Sequence, residues 1–214
     1  MIIVRHAKDG DMKYVSHKDT LRVLQRALKR AKIDVAYSQG FVPHMLTYTT
    51  TPLPLGVASN AEYFAVECKG VDEKSFLQAF TAAVPHGLRG DWSVEVAKNP
   101  NLAYIVIASR YFISAEGDLE RVKEILASQE YVIQVTKKGE TVSKDVRKLI
   151  YDLEVVEGGI VATLATGNDN LRVDCFVDSL NERYGLGICR DDVTRVEQLV
   201  QGKDGLISVK EFLS

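Results

Sequence analysis

Cysteine is scarce in this sequence. Cys68, Cys175 and Cys189 are the only three, widely separated and without a C-x-x-C pair. Their odd number excludes a closed disulfide framework. Their scatter argues against structural zinc and iron–sulfur sites, which gather closely spaced thiolates. Long apolar runs are missing too, and none approaches the roughly twenty residues that cross a bilayer. The opening MIIVRHAKDGD turns charged after four residues and lacks the apolar core of a secretory leader. The expectation is a cytoplasmic chain with reduced thiols, no metal, no cofactor and no membrane partner. Gly-rich phosphate loops are absent as well. Gly158-Gly159 reads as a hairpin turn, and Gly185-x-Gly187 lacks the third glycine and the strand–helix setting. No carboxylate pair is spaced as an acid–base couple, and no H-x-x-x-H suggests zinc.

What is present is an ordinary globular composition with an uneven charge distribution. With 214 residues, 46% of them apolar, the chain can bury one large core or two of about a hundred residues each. Residues 1–50 carry nine Lys/Arg against four Asp/Glu, whereas the rest carries eighteen against twenty-five. The net charge of −2 thus conceals +5 followed by −7. A basic N-terminal quarter is consistent with an anionic partner, and ordinary fluctuation of surface charge is the alternative.

Periodicity divides the chain into short elements. Ile2–Arg5 reads as a strand. Ser16, with Asp19 three residues on, marks a helix start. Leu21, Leu24, Leu28 and Ala31 form one stripe of a helix over about 17–32. Val35–Tyr37 reads as extended. Residues 38–60 are rich in Ser, Thr, Gly and Pro, and Pro43, Pro52 and Pro54 argue for a long loop or irregular hairpin. A strand over Glu62–Cys68, a helix over Glu73–Ala83 and a strand over Trp92–Val96 follow.

A second strand–helix–strand–strand–helix–strand series then appears. Tyr104–Ile113 is a strand and Leu119–Ala127 a helix starting near Asp118. Tyr131–Thr136 is a strand turning at Lys138-Gly139, with an added strand or loop near 140–152. Leu153–Val156 and Ile160–Leu164 form a hairpin. A helix over Val173–Tyr184 closes at Gly185, and Val193–Leu199 is the last strand. The fold expected is α+β: tandem ferredoxin-like (βαββαβ) units with antiparallel sheets, residues 1–99 and 100–214. One continuous α+β domain on an extended antiparallel sheet is the alternative.

Candidate site residues cluster between Tyr14 and His44. At 100° per residue, Lys18, Arg22, Arg26 and Lys29 share one arc of the first helix, with Arg30 at its edge. Such an arc suits a phosphate backbone, since guanidinium groups bind phosphate bidentately and Lys acts as a point charge. A merely solvated helix face is the plainer reading. Tyr37, Phe41 and Tyr48 lie close by in sequence, and aromatics beside cations are the composition of single-strand RNA sites. Gln39, Phe41 and His44 occupy a loop shaped by Gly40 and Pro43. His17 and His44 are weak candidates for a general base. For His17 the plain alternative is a surface residue of the first turn. His6 and His86 read as structural or incidental.

The run from Tyr14 to Ala31, with Ala36-Tyr-Ser-Gln-Gly-Phe-Val-Pro-His, Pro52-Leu-Pro-Leu-Gly-Val and Ala61-Glu-Tyr, resembles a bacterial family of radical-SAM-associated proteins. The resemblance is strong over about residues 1–70 and collinear beyond. Val146-Arg147-Lys148-Leu149-Ile150 and Ile188-Cys189-Arg190 fall at family landmarks, although Lys148 and Val173 stand where the family usually has proline. The resemblance implies a domain of unknown function that works beside a radical SAM protein, in gene neighbourhoods that suggest RNA or ribosome components. The chain is not itself that enzyme, whose cluster needs three closely spaced cysteines.

Three functions follow as expectations. The first is an accessory module that binds RNA or a ribosome-related substrate for a radical SAM partner, with Arg22, Arg26 and Lys29 on phosphate and Gln39, Phe41 and His44 on a nucleotide. The second is a metal-independent endoribonuclease resembling CRISPR repeat-processing enzymes, with His17 or His44 as base. The third is a protein-only scaffold.

Overall fold

Strand β1 (Ile2–Lys8) opens the computed structural model of the chain, which describes every residue except Lys138 and Asn168. The first 99 residues continue with α1 (His17–Arg30), β2 (Asp34–Val35), β3 (Thr47–Thr49), β4 (Ala58–Val66), β5 (Cys68–Lys69), α2 (Glu73–Ala83) and β6 (Leu88–Glu95). Then come α3 (Leu102–Ile105), β7 (Val106–Ser114), α4 (Glu124–Ala127), β8 (Val132–Lys137), β9 (Glu140–Asp145), β10 (Ile150–Val156) and β11 (Gly159–Ala165). The chain ends with α5 (Val173–Tyr184), β12 (Val193–Gln201), β13 (Leu206–Ser208) and α6 (Val209–Leu213). Among the described residues, no helix is long and apolar enough to cross a membrane.

The fold is a mixed α+β arrangement around one large, mostly antiparallel sheet. Its strands run β10-β11-β7-β12-β4-β1-β6, with β3 beside β4 and β13 beside β12. A single sheet therefore runs through residues 1–99 and 100–214. The junction is the one parallel pairing among the described residues, Thr194 with Ala58 and Arg195 with Ser59. It has a local cause. β1 covers one edge of β4, and β3 covers the other only at Phe64–Val66. The free remainder of that edge would expose unpaired backbone groups, and β12 occupies it. The hairpin β8–β9 stands apart from the large sheet.

Three apolar clusters hold this sheet. Leu24 and Leu28 of α1, Phe76 and Phe80 of α2, and Ile2, Val4 and Phe64 of the sheet form the first. The other face of the same strands buries Ile3, Tyr63 and Ala65 with Leu102 and Val209. The third gathers Phe176, Val177 and Leu180 of α5 with Ile113 and Ile160, and takes in Leu53 and Val57 from the proline-bearing loop.

Several sequence expectations need correction. Leu102–Ile105 is a helical turn, so the strand expected from Tyr104 begins at Val106. Asn101 turns the backbone into the left-handed region there (φ +56°), and the buried Leu102 fixes the turn. The segment 119–123 is a tight 3-10 turn, α4 is only four residues long, and Asp118 makes no capping bond. β12 is not the last strand, because β13 and α6 follow. Of the two readings of 38–60, the irregular hairpin is the one found, since β3 lies in the stretch and pairs antiparallel with β4. Of the turn expected at Lys138-Gly139, Lys138 lies outside the described residues.

Candidate functional site

α1 begins where the sequence predicts. The Ser16 hydroxyl accepts the Asp19 amide at 3.2 Å and donates to the Asp19 carboxylate at 2.7 Å. The leucine stripe faces the sheet, leaving Lys18, Arg22, Arg26 and Lys29 exposed. Their surroundings differ. Arg22 pairs with Asp19 at 2.7 Å. Arg30, at the edge of the arc, donates to the Ala83 carbonyl at 2.6 Å and so caps the end of α2. Lys18, Arg26 and Lys29 make no ion pair among the described residues.

The loop after β2 is a small closed structure. Tyr37 bridges to Met45, which is buried, and the Ser38 amide donates to the His44 carbonyl at 2.8 Å. The Ser38 hydroxyl lies 2.8 Å from His44 Nδ1 and accepts the His44 amide at 3.1 Å. Gly40, at φ +138°, adopts a backbone conformation that side chains disfavour, which lets the tip reverse. Gln39, Phe41 and Val42 are exposed at this tip, Phe41 completely so.

Two contacts seat the stem of this loop against α1. Gln25 Nε2 donates to the Thr47 hydroxyl at 3.0 Å, and His17 Nε2 lies 3.4 Å from the Thr49 hydroxyl. On the helix surface Gln25 falls beside Lys18 and Lys29, so the cationic arc borders β3. His17 and His44 are not brought together: His17 lines an internal cavity, whereas His44 sits at the exposed tip held by Ser38.

That cavity lies beneath the first turn of α1. His6, Lys8, His17, Thr20, Thr49 and Glu62 supply its polar lining, and at about 20 Å³ it has room for one water molecule. His6 and Lys8 are 2% and 3% exposed. The His6 Nδ1–H donates to the Ala7 carbonyl at 2.9 Å, and Lys8 Nζ donates to the Val15 carbonyl at 2.7 Å. Burial lowers the pKa of His6, His17 and Lys8 alike. Burial works the other way on Glu62, but the Arg195 guanidinium and the Ser59 hydroxyl outweigh it and hold that carboxyl below its ordinary range. Arg195, 2% exposed, meets Glu62 at 2.9 Å, the Thr51 and Pro52 carbonyls at 3.2 and 3.3 Å, and the Tyr111 hydroxyl at 3.2 Å.

A family model described as "uncharacterized protein conserved in bacteria" (DUF2344) matches residues 1–179. The chain belongs to this family. The matched span takes in α1, the loop of residues 38–44 and the whole cavity, while Arg195 lies beyond it. No curated protein matches the chain. The DUF2344 description names neither partner nor substrate.

Beside the cavity, this DUF2344 protein has a larger cleft of about 410 Å³ between Thr51–Pro54 and Asn170–Val173, with Tyr111 and Arg195 also lining it. Arg172, in its wall, and Arg190 both pair with the buried Asp174 carboxylate. The sequence points to none of Lys8, Glu62, Tyr111 or Arg195 as a group of interest. For Lys8 a signal exists, since His6 and Lys8 continue the alternate positions of Ile2 and Val4 and are the polar residues on that otherwise apolar face of β1. For Arg195 none exists, because its contacts depend on the β4–β12 register.

The buried His6 predicts a pH dependence of stability. Its folded pKa is depressed, so the unfolded chain binds the proton more tightly and acid favours unfolding. Stability is fully present above about pH 6.5 and falls as the pH drops below it, by at most about 1.4 kcal/mol per pH unit for this one group. Glu62 titrates only in more acid solution. Denaturant unfolding between pH 7.5 and 5 should show a steeper loss for the native protein than for His6→Gln, and identical slopes would contradict the assignment.

Proposed function

We propose that the protein is a binding module for single-stranded RNA, holding phosphates along α1 and stacking a base on the loop tip. One observation carries this reading: Phe41 stands fully exposed at the end of a braced loop whose stem adjoins a helix face with three cations that make no ion pair among the described residues. A solvent-exposed phenyl ring contributes nothing to the core, and a ring beside cations is the arrangement that stacks bases irrespective of sequence. Gln39 and His44 flank Phe41 and offer polar groups to a base edge. In this reading the module serves a radical SAM protein in the cytoplasm, a role that rests on the sequence resemblance alone. The strand order β3-β4-β1-β6 recurs as β10-β11-β7-β12, which supports reading the chain as tandem ferredoxin-like units of residues 1–99 and 100–214.

Anisotropy of a labelled single-stranded oligoribonucleotide tests the proposal. Phe41→Ala should weaken binding roughly tenfold, within the range measured for losing one stacked base. Its melting temperature should not change, because the side chain is unpacked. Unchanged affinity would remove Phe41 from the site. The same incubation bears on a second reading, RNA cleavage with His17 as base, which is favoured by the half-buried, neutral-leaning imidazole at the cavity mouth. Oligonucleotide recovered intact would exclude it.

A further inference from the structure

We infer that the cavity beneath the first turn of α1 is an oxyanion site, in which the buried ammonium of Lys8 receives one oxygen of a phosphate group. Lys8 uses one of its three N–H donors, on the Val15 carbonyl, and no carboxylate lies within ion-pair distance of it among the described residues. Glu62, the acidic residue in the cavity wall, is already engaged by Arg195. Lys8 and Arg195 against Glu62 leave this buried group with one excess positive charge. Burial lowers the pKa of His6 and His17 and so keeps both from adding to that charge. A buried cation without a counter-ion is costly, and Lys8, with two donors unassigned, lines a space the size of a single oxygen.

Lys8 reaches the cavity wall from an irregular point of β1. A register shift separates His6, which pairs with Glu62, from Lys8, which pairs with Ser59, and such bulges commonly redirect a side chain. The mouth is polar and reachable from solvent. His17 and Thr49 are half-buried there, with the imidazole Nε2 and the hydroxyl 3.4 Å apart. A phosphate placing one oxygen inside would keep the others outside, against His17 and Thr49. The excess positive charge excludes a cation as occupant, and the volume excludes a whole organic ligand. The phosphate group could belong to a mononucleotide or to an RNA backbone, and the site does not require the RNA reading above.

Nuclear magnetic resonance of the His17 ring in the full-length protein tests this, with inorganic phosphate, adenosine monophosphate and a short single-stranded oligoribonucleotide added in turn. Phosphate should shift the His17 signals and raise its pKa, since a bound dianion favours the imidazolium. Lys8→Met replaces the buried charge with an apolar chain of similar length and should weaken the effect roughly tenfold or more. Thr49→Val, a smaller change, should weaken it roughly fivefold. A response to the mononucleotide assigns a small ligand, and a response to the oligonucleotide alone assigns the RNA backbone. His17 signals indifferent to all three probes, or equally responsive in Lys8→Met, would overturn the inference.

Discussion

Replacing Arg195 with methionine should lower stability by about 3–5 kcal/mol, a drop of roughly 6–20 °C in melting temperature for a chain of this length. The size follows from what Arg195 holds. Its guanidinium is 2% exposed and joins the Glu62 carboxylate, the backbone carbonyls of Thr51 and Pro52, and the Tyr111 hydroxyl. Those partners come from β4, the proline-bearing loop and β7, so one side chain ties residues 1–99 to residues 100–214. Its loss leaves Glu62, 14% exposed, as a carboxylate with no ion-pair partner among the described residues, and this broken pair is the main cost. Glu62→Gln added to Arg195→Met should therefore recover part of the loss, a non-additivity expected of groups in contact. A single-variant effect below about 1 kcal/mol would show that the pair is not a structural tie.

The same pair marks where the sequence stops being informative. α1 is legible because its leucine stripe and the Ser16 cap agree, α2 because Phe76 and Phe80 recur at helical spacing, and α5 because its apolar spacing ends at Gly185. β3 is not legible, being three residues within a proline-rich stretch, set by pairing with β4 and not by its own propensity. Tyr104 reads as strand for its β-forming type, yet the buried Leu102 and the left-handed Asn101 draw it into a turn. At the site, the cationic arc and the Gly40–Pro43 tip follow from local spacing and lie where that spacing puts them. Glu62 and Arg195 are 133 residues apart, and no local pattern links them. Their meeting depends on β12 closing the open edge of β4, a tertiary event. His6, incidental in sequence terms, is buried beside Lys8 for the same reason: the pleat is visible locally, and what covers it is not.

Reversing Lys18, Arg26 and Lys29 together to glutamate should cost roughly a hundredfold in affinity for single-stranded RNA at about 0.1 M salt. Each phosphate contact on a single strand contributes about 0.7 to the slope of log affinity against log salt, so three contacts amount to about two decades there. Fold stability should hold, because all three side chains are exposed and make no ion pair among the described residues. Arg22→Glu alone should matter less, because Asp19 already offsets that charge. Arg30 is excluded from the set, since its bond to Ala83 serves the packing of α1 on α2. The most direct test of an RNA-binding surface on α1 is one titration series: affinity for a single-stranded oligoribonucleotide between about 50 and 200 mM salt, for the native and triply reversed proteins. A surface built from these three cations predicts a native slope near −2, about a fifteenfold weakening across that range, and a flat, weak response in the variant. Native protein that binds no RNA at the lowest salt, or binds it equally well after the reversal, would contradict the account.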